Sequence, residues 1–269
     1  MDLGSTDRLS SGVDRAFGAW AAGPQRPTLG PGELHVWRAD LRSVQDAVAR
    51  ALGEDERRRA ADIGEDRARA LWARSRGVLR ALLGRYLQVQ PDSFEIRIDA
   101  RGKPLPVTLP GGRQGPHFNL SHSAHLALFG FATDAPLGVD VQFARTSSAR
   151  PAREHLALAR RHFGEADAAR LERLEPSLRE REFVRLWARH EAELKRLGTG
   201  IGGRLADVAH GRDEEDAGEK DRGEDGRGEG AEPWVAELDA DPDAGAAAAC
   251  GRAPRLMRLW DWGEPAGPA

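Results

Sequence analysis

Cysteine is nearly missing from this chain: Cys250 is the only one in 269 residues. A single thiol excludes an intrachain disulfide, a cysteine-based zinc cluster and a dithiol redox pair, and it fits a reducing compartment. Cys250 itself reads as a small core residue. Long apolar runs are also lacking. No stretch approaches the length that spans a bilayer, and the first residues have neither the basic start nor the apolar run of a secretory signal. These absences predict a soluble, cytoplasmic protein without a membrane partner. There is no excess of positive charge: 40 Lys and Arg against 43 Asp and Glu give a formal net charge of −3. Phosphate-backbone affinity needs such an excess, so a general nucleic-acid binder is excluded and any anion site must be local. Lysine is the scarcest charged residue, limited to Lys103, Lys195 and Lys220, while arginine supplies every other side-chain cation apart from histidine.

A chain of this length can bury a substantial core as one large domain or two small ones. Residues 1–32 are rich in Gly, Pro, Ser and Ala without a sustained period, and read as a loosely ordered leader. From Leu34 to Ala39 apolar and polar residues alternate as in a half-buried strand, and from Leu41 the pattern turns helical. Leu71, Trp72, Val78, Leu79, Leu82, Leu83 and Leu87 recur at helical spacing and predict a helix over 65–87. Phe94 to Ile98 alternates again, before a turn at 99–104 and a Pro/Gly-rich loop to Pro116. Three short neighbouring strands are predicted at 117–123, 126–131 and 137–141. Two helices follow, 153–174 and 178–197, with Pro176 marking the break. Residues 211–232 are Asp, Glu, Arg and Gly with Lys220, and Ala217 and Ala231 are the only apolar side chains. Such a segment cannot offset its ordering entropy and reads as a disordered spacer, with an acidic binding arm as the other reading. Candidate strands at 234–238, 246–250 and 256–260 then make it an insert within a domain.

Glu191 and Lys195 stand one helical turn apart. In a chain that otherwise writes its cations as arginine, this pairs a compact ammonium with a metal-binding oxygen around a phosphate; an ordinary surface salt bridge has the same spacing. Asp140 and Gln142 share one face of a predicted strand and, with Glu191, offer three oxygens to a hard cation such as Mg2+; a strand-end turn without ligands reads the same way. Asn119, Ser121, His122 and Ser123 set hydroxyls and an imidazole at a strand end beside the Gly/Pro loop. They suit a phosphate, or simply satisfy turn hydrogen bonds. Arg57, Arg58, Arg59, Arg67, Arg69, Arg74, Arg76 and Arg80 make the first helical region basic. Most form a solvated face, and the period does not say which reach a phosphate.

Taken in order, Gly102-Lys103-Pro104, the run Phe118 to Ser123, the run Gly138 to Val141, and Trp187, Glu191 and Lys195 at intervals of four resemble the Sfp-type 4′-phosphopantetheinyl transferases. The resemblance covers nearly everything outside the leader and the insert. It implies an α+β fold of two similar halves related by a pseudo-twofold, with the active site at their junction. The expected division is 33–145 and 146–262, the second half interrupted at 211–232 and followed by a tail at 263–269. It implies Mg2+-dependent transfer of phosphopantetheine from coenzyme A to a serine of an acyl or peptidyl carrier protein, by a monomer. Asp140 and Glu191 match the family's metal carboxylates and Lys195 its lysine at the pyrophosphate. Ser121 and His122 match the pair at the 3′-phosphate, Lys103 the lysine of the Gly-Lys-Pro turn, and Arg69 an arginine near the nucleotide. Gln142 stands where a third acidic ligand is usual, His190 where a lysine commonly precedes the glutamate, with Arg189 as a substitute, and Ala70 where some members place a threonine. The carboxylate proposed as base in some members corresponds to Asp167, four residues after Phe163, with Glu165 close by. For the base, Asp167, Glu165 and Glu191 all remain open. The rival reading is a non-catalytic module that binds coenzyme A or a carrier and retains the fold.

Overall fold

The computed structural model describes residues 19–100, 102–144, 152–198 and 233–263. The expected spacer at 211–232 and most of the leader lie outside the described residues, as does all of the tail except Gly263. The fold is α+β, with eight strands in two sheets among the described residues. The first sheet runs in the order β1-β8-β2-β4-β3, formed by β1 (Ala21–Ala22), β2 (Glu33–Asp40), β3 (His117–Ser123), β4 (Leu126–Ala132) and β8 (Leu256–Asp261). The second runs β5-β7-β6, from β5 (Gly138–Phe143), β6 (Trp234–Glu237) and β7 (Ala244–Cys250). Among the described residues the α-helices are α1 (Glu54–Ala61), α2 (Asp66–Leu87), α3 (Ala152–His162), α4 (Glu165–Glu172) and α5 (Pro176–Leu197). None of the described helices is long and apolar enough to cross a membrane.

Strand alternation sets the layers. On β2, Trp37 and Ala39 pack with Phe129 and Phe131 of β4 against Val78, Leu79, Leu82 and Leu83 of α2. Leu34 and Val36 point the other way and meet Val139, Val141, Ala246 and Ala248 of the second sheet. On β7 the intervening Ala247 and Ala249 face Ala188 and Ala192 of α5. The sequence of layers is therefore α2, five-stranded sheet, three-stranded sheet, α5, and both sheets are covered on both faces.

The alanine run of β7 has a steric reason. A Cβ on Gly138 would lie 1.9 Å from the main-chain oxygen of Ala192, and one on Gly245 would lie 2.3 Å from that of Val184. Helix α5 thus rides directly on the backbone of β5 and β7, and only small side chains fit between.

Several boundaries differ from the sequence expectations. The alternation at Phe94–Ile98 forms no strand; Ile98 makes only an isolated bridge to Pro104. The helical run 153–174 is interrupted at Gly164, and Pro176 itself, rather than residue 178, begins α5. Its missing N–H is one that a first-turn residue leaves unpaired anyway. Part of the expected leader is integral to the fold, since β1 pairs in parallel with β8 and the Gly23 amide donates to Asp261. Sheet membership also crosses the expected division at 145: β5 belongs to the second sheet, and β8 returns to the first.

Candidate active site

The site grows from the seam between the sheets. Strands β3 and β5 are the facing edges, and side chains bridge them. The amides of Val139, Val141 and Phe143 donate respectively to Asn119 Oδ1 at 3.0 Å, Ser121 Oγ at 3.4 Å and Ser123 Oγ at 3.3 Å. Three polar residues at alternate positions of β3 thereby supply acceptors to buried amides that would otherwise be costly to leave unpaired. The polar run of β3 has a structural function that its sequence alone did not reveal.

With Val139 and Val141 turned into the core, Asp140 and Gln142 face α5. Residues Glu191 and Lys195 of α5 are one turn apart on the helix face that approaches β5. The Lys195 ammonium donates to Asp140 Oδ1 at 2.6 Å, to Ser121 Oγ at 2.9 Å and to the Val139 carbonyl at 3.4 Å. The Ser121 hydroxyl donates to the same Asp140 oxygen at 2.7 Å. Ser121, Asp140 and Lys195 are thus one connected group built from three elements of both sheets and α5.

Glu191 completes the group electrostatically. It is 4% exposed, and its Oε1 is buried without a hydrogen-bond partner. Burial first, then the negative charge of Asp140, raises its carboxyl to about 7, with Lys195 pulling the other way. Two buried carboxylates close enough to repel, one with an orphaned oxygen, fit a hard dication that takes oxygen ligands and leaves positions for water and phosphate. Gln142, part-exposed on the same face of β5, is the remaining oxygen donor. No cluster of three His, Cys, Asp or Glu exists among the described residues, so such an ion would rest on Asp140 and Glu191 with a neutral third ligand.

His122 alternates to the exposed side of β3. Desolvation, then the charges of Arg76 and Lys195, lower its pKa. Arg76 was not singled out by its spacing, although it lies one turn from Trp72 and its guanidinium stands 5.3 Å from that ring. Its Nε is buried without a partner, and burial lowers the pKa of the group. An arginine held in this way near His122 is a further cationic contact, with Lys195, for an anion at that histidine.

Other expected residues lie elsewhere. The Arg69 guanidinium is held near the start of α2 by the Ile63 carbonyl at 3.0 Å and by Asp66 at 3.0 Å. Lys103 is turned to the end of α5, donating to the Lys195 carbonyl at 2.8 Å. Asp167 is on α4 in an ion pair with Arg170 at 3.6 Å, and Glu165 is paired with Arg160 at 3.7 Å. Among the described residues, neither carboxylate is hydrogen-bonded or ion-paired to Ser121, Asp140, Glu191 or Lys195. Arg189 is directed to Glu237 of β6 at 3.7 Å. His190 packs among His162, Phe163 and Trp187, its pKa lowered by burial and by His162.

The sequence was compared with known proteins. The family model described as the 4'-phosphopantetheinyl transferase superfamily matches residues 136–249, which include Asp140, Glu191 and Lys195. The chain is 34% identical over 186 residues to the 4'-phosphopantetheinyl transferase HetI of Nostoc, an alignment covering 68% of this chain and 76% of that protein. It is 37% identical over 130 residues to a putative 4'-phosphopantetheinyl transferase of Synechocystis, covering 48% and 50%. It is 25% identical over 124 residues to the 4'-phosphopantetheinyl transferase Sfp of Bacillus subtilis, covering 46% and 50%. Its residues, and its likeness to HetI over most of that protein's length, show that the chain belongs to the 4'-phosphopantetheinyl transferase superfamily.

Proposed function

We propose that this protein transfers the 4′-phosphopantetheine group of coenzyme A to a serine of an acyl or peptidyl carrier protein, with Mg2+ at the pyrophosphate. The observation that carries the reading is the buried group at the sheet seam. Lys195 is hydrogen-bonded to Asp140 and Ser121, and the Glu191 carboxyl beside them is short of a partner. Asp140 and Glu191, with the Gln142 amide, would hold the metal. That ion would supply charge neutralisation at the pyrophosphate oxygens.

The chain's own groups account for the rest. Lys195 neutralises charge on the leaving side of the pyrophosphate linkage as the serine oxygen bonds to the phosphorus nearer the pantetheine. The bond from that phosphorus to the bridging oxygen breaks, and adenosine 3′,5′-bisphosphate leaves. The serine proton needs an acceptor. The Asp167 carboxylate is committed to Arg170 on α4, which leaves Glu191 as the candidate carboxylate within the group. Arg76, His122 and Ser121 form the proposed contact with the 3′-phosphate, with Arg69 further along α2 toward the nucleotide. A phosphate dianion there would offset both cations that depress His122 and raise its pKa again.

The experiment is to incubate the protein with coenzyme A, Mg2+ and an apo carrier, then to measure the intact mass of the carrier. A phosphopantetheine mass increase with release of adenosine 3′,5′-bisphosphate is the expected result. Binding of coenzyme A or carrier with no mass increase would favour the non-catalytic module.

A further inference from the structure

The hairpin turn at 99–104 comes from the loop between α2 and β3, yet it ends on α5. The turn is closed by two main-chain hydrogen bonds, Asp99 N to Lys103 O at 2.8 Å and Gly102 N to Asp99 O at 3.0 Å. The Asp99 carboxylate accepts from the Lys103 amide at 2.8 Å. Lys103 is therefore fixed at its backbone. Its side chain crosses to α5, where the ammonium donates to the main-chain oxygens of Lys195, at 2.8 Å, and of Arg196.

Those oxygens lie in the last turn of the helix, where carbonyls lack the regular helical amide four residues on and the helix dipole is negative. Gly198 ends the helix at φ 72, and its amide returns to Leu194 and Lys195. A Cβ at Gly198 would stand 3.3 Å from Lys103 Cδ, so the lysine stem lies against the helix cap. Burial, then the charge of Arg196, lowers the Lys103 pKa to about 8, with Asp99 opposing. The ammonium is enclosed, and it remains mostly charged at pH 7.

We propose that Lys103 is a positioning residue, which ties the 99–104 turn to the final turn of α5 and so fixes the backbone that delivers Lys195 and Glu191 to Asp140. One of its two acceptors is the carbonyl of Lys195 itself. A shift of that carbonyl moves the attachment point of the side chain whose ammonium must stay within 3 Å of Asp140 and Ser121. This role rests on the transfer reading for what is being positioned. It differs from a nucleotide contact, in which the same ammonium would face the phosphates rather than the helix end.

The test compares Lys103→Met, which keeps the stem and removes the donors, with Lys103→Arg, which can still donate to two carbonyls. Three quantities are read: kcat and KM for coenzyme A with an apo carrier, coenzyme A affinity by calorimetry, and amide hydrogen exchange of residues 194–198. For Lys103→Met we expect kcat to fall about tenfold or more, with KM and affinity for coenzyme A within about twofold of wild type and with faster exchange in the last turn of α5. Lys103→Arg should recover most of the turnover and protection. A rise in KM and loss of affinity at unchanged kcat would overturn the proposal in favour of a nucleotide contact. Unchanged turnover and exchange in Lys103→Met would overturn it outright. A wild type that transfers nothing would remove the functional reading and with it the catalytic part of the proposal. The exchange data would then decide the tie alone, and unchanged protection would reject it.

Discussion

Glu191 concentrates the electrostatic strain of the site in one carboxyl. Its pKa is near 4.5 in the unfolded chain and about 7 in the fold, so between those values the native state binds more protons than the unfolded one. Stability must then fall as pH rises from about 4.5 to about 7, and the whole penalty is present above that range. Glu191→Gln removes the ionisation. In buffer containing a chelator it is expected to be more stable than wild type at pH 8, by up to about 3 kcal/mol, and to match wild type near pH 4.5. Urea unfolding at the two pH values reads the difference, and equal stability at pH 8 would contradict the assignment. Gln142 poses the complementary question. It shares the α5-facing side of β5 with Asp140, so Gln142→Glu should lower the Mg2+ concentration giving half-maximal transfer, whereas Asp140→Asn should abolish transfer at any Mg2+ concentration tested. An unaltered metal dependence in Gln142→Glu would place residue 142 outside the metal shell.

At the scale of elements, close contact between α5 and the second sheet governs the geometry. Gly138 begins the strand that carries Asp140, and α5 passes over it at backbone distance. Gly138→Ala would set a methyl 1.9 Å from the Ala192 oxygen and 2.7 Å from the Arg196 amide. The helix must lift, at a cost of about 1–3 kcal/mol typical of overpacking, and Glu191 and Lys195 lift with it. Denaturant unfolding should report the lost stability and steady-state kinetics a lower turnover; a variant with wild-type values of both would show that the layers tolerate separation. Much at this scale was legible. The periods of α2 and α5, the alternation of β2 and the short apolar run of β4 made those elements legible, and the strand period put Asp140 and Gln142 on one face of β5. Where reading failed, the missing information was not local. Phe94 to Ile98 has a strand's alternation yet forms only an isolated bridge at Ile98, and Pro176 marks a break without telling that it is itself the first residue of α5. Asn119, Ser121 and Ser123 look like ligand groups, and only the facing edge of β5 reveals that they also satisfy its amides.

Over the whole molecule, the active group exists because chain order and spatial order differ. Strand β5 leaves the first half to open the second sheet, β8 returns to close the first, and the 99–104 turn reaches across to the end of α5. Ser121 and Lys195, 74 positions apart, thereby meet at 2.9 Å. The ordered motifs told which residues belong together; they did not tell that Lys103 ends on a helix or that Arg76 stands beside His122, since both depend on packing between distant segments. The central claim is that the ammonium at this meeting point drives phosphopantetheine transfer. Its most direct test is the turnover of Lys195→Ala beside wild type at saturating coenzyme A, Mg2+ and apo carrier, with coenzyme A affinity measured in parallel. Turnover should fall roughly a hundredfold or more, as for other preorganised electrostatic groups, while coenzyme A affinity weakens far less. Wild-type turnover in Lys195→Ala would contradict the account.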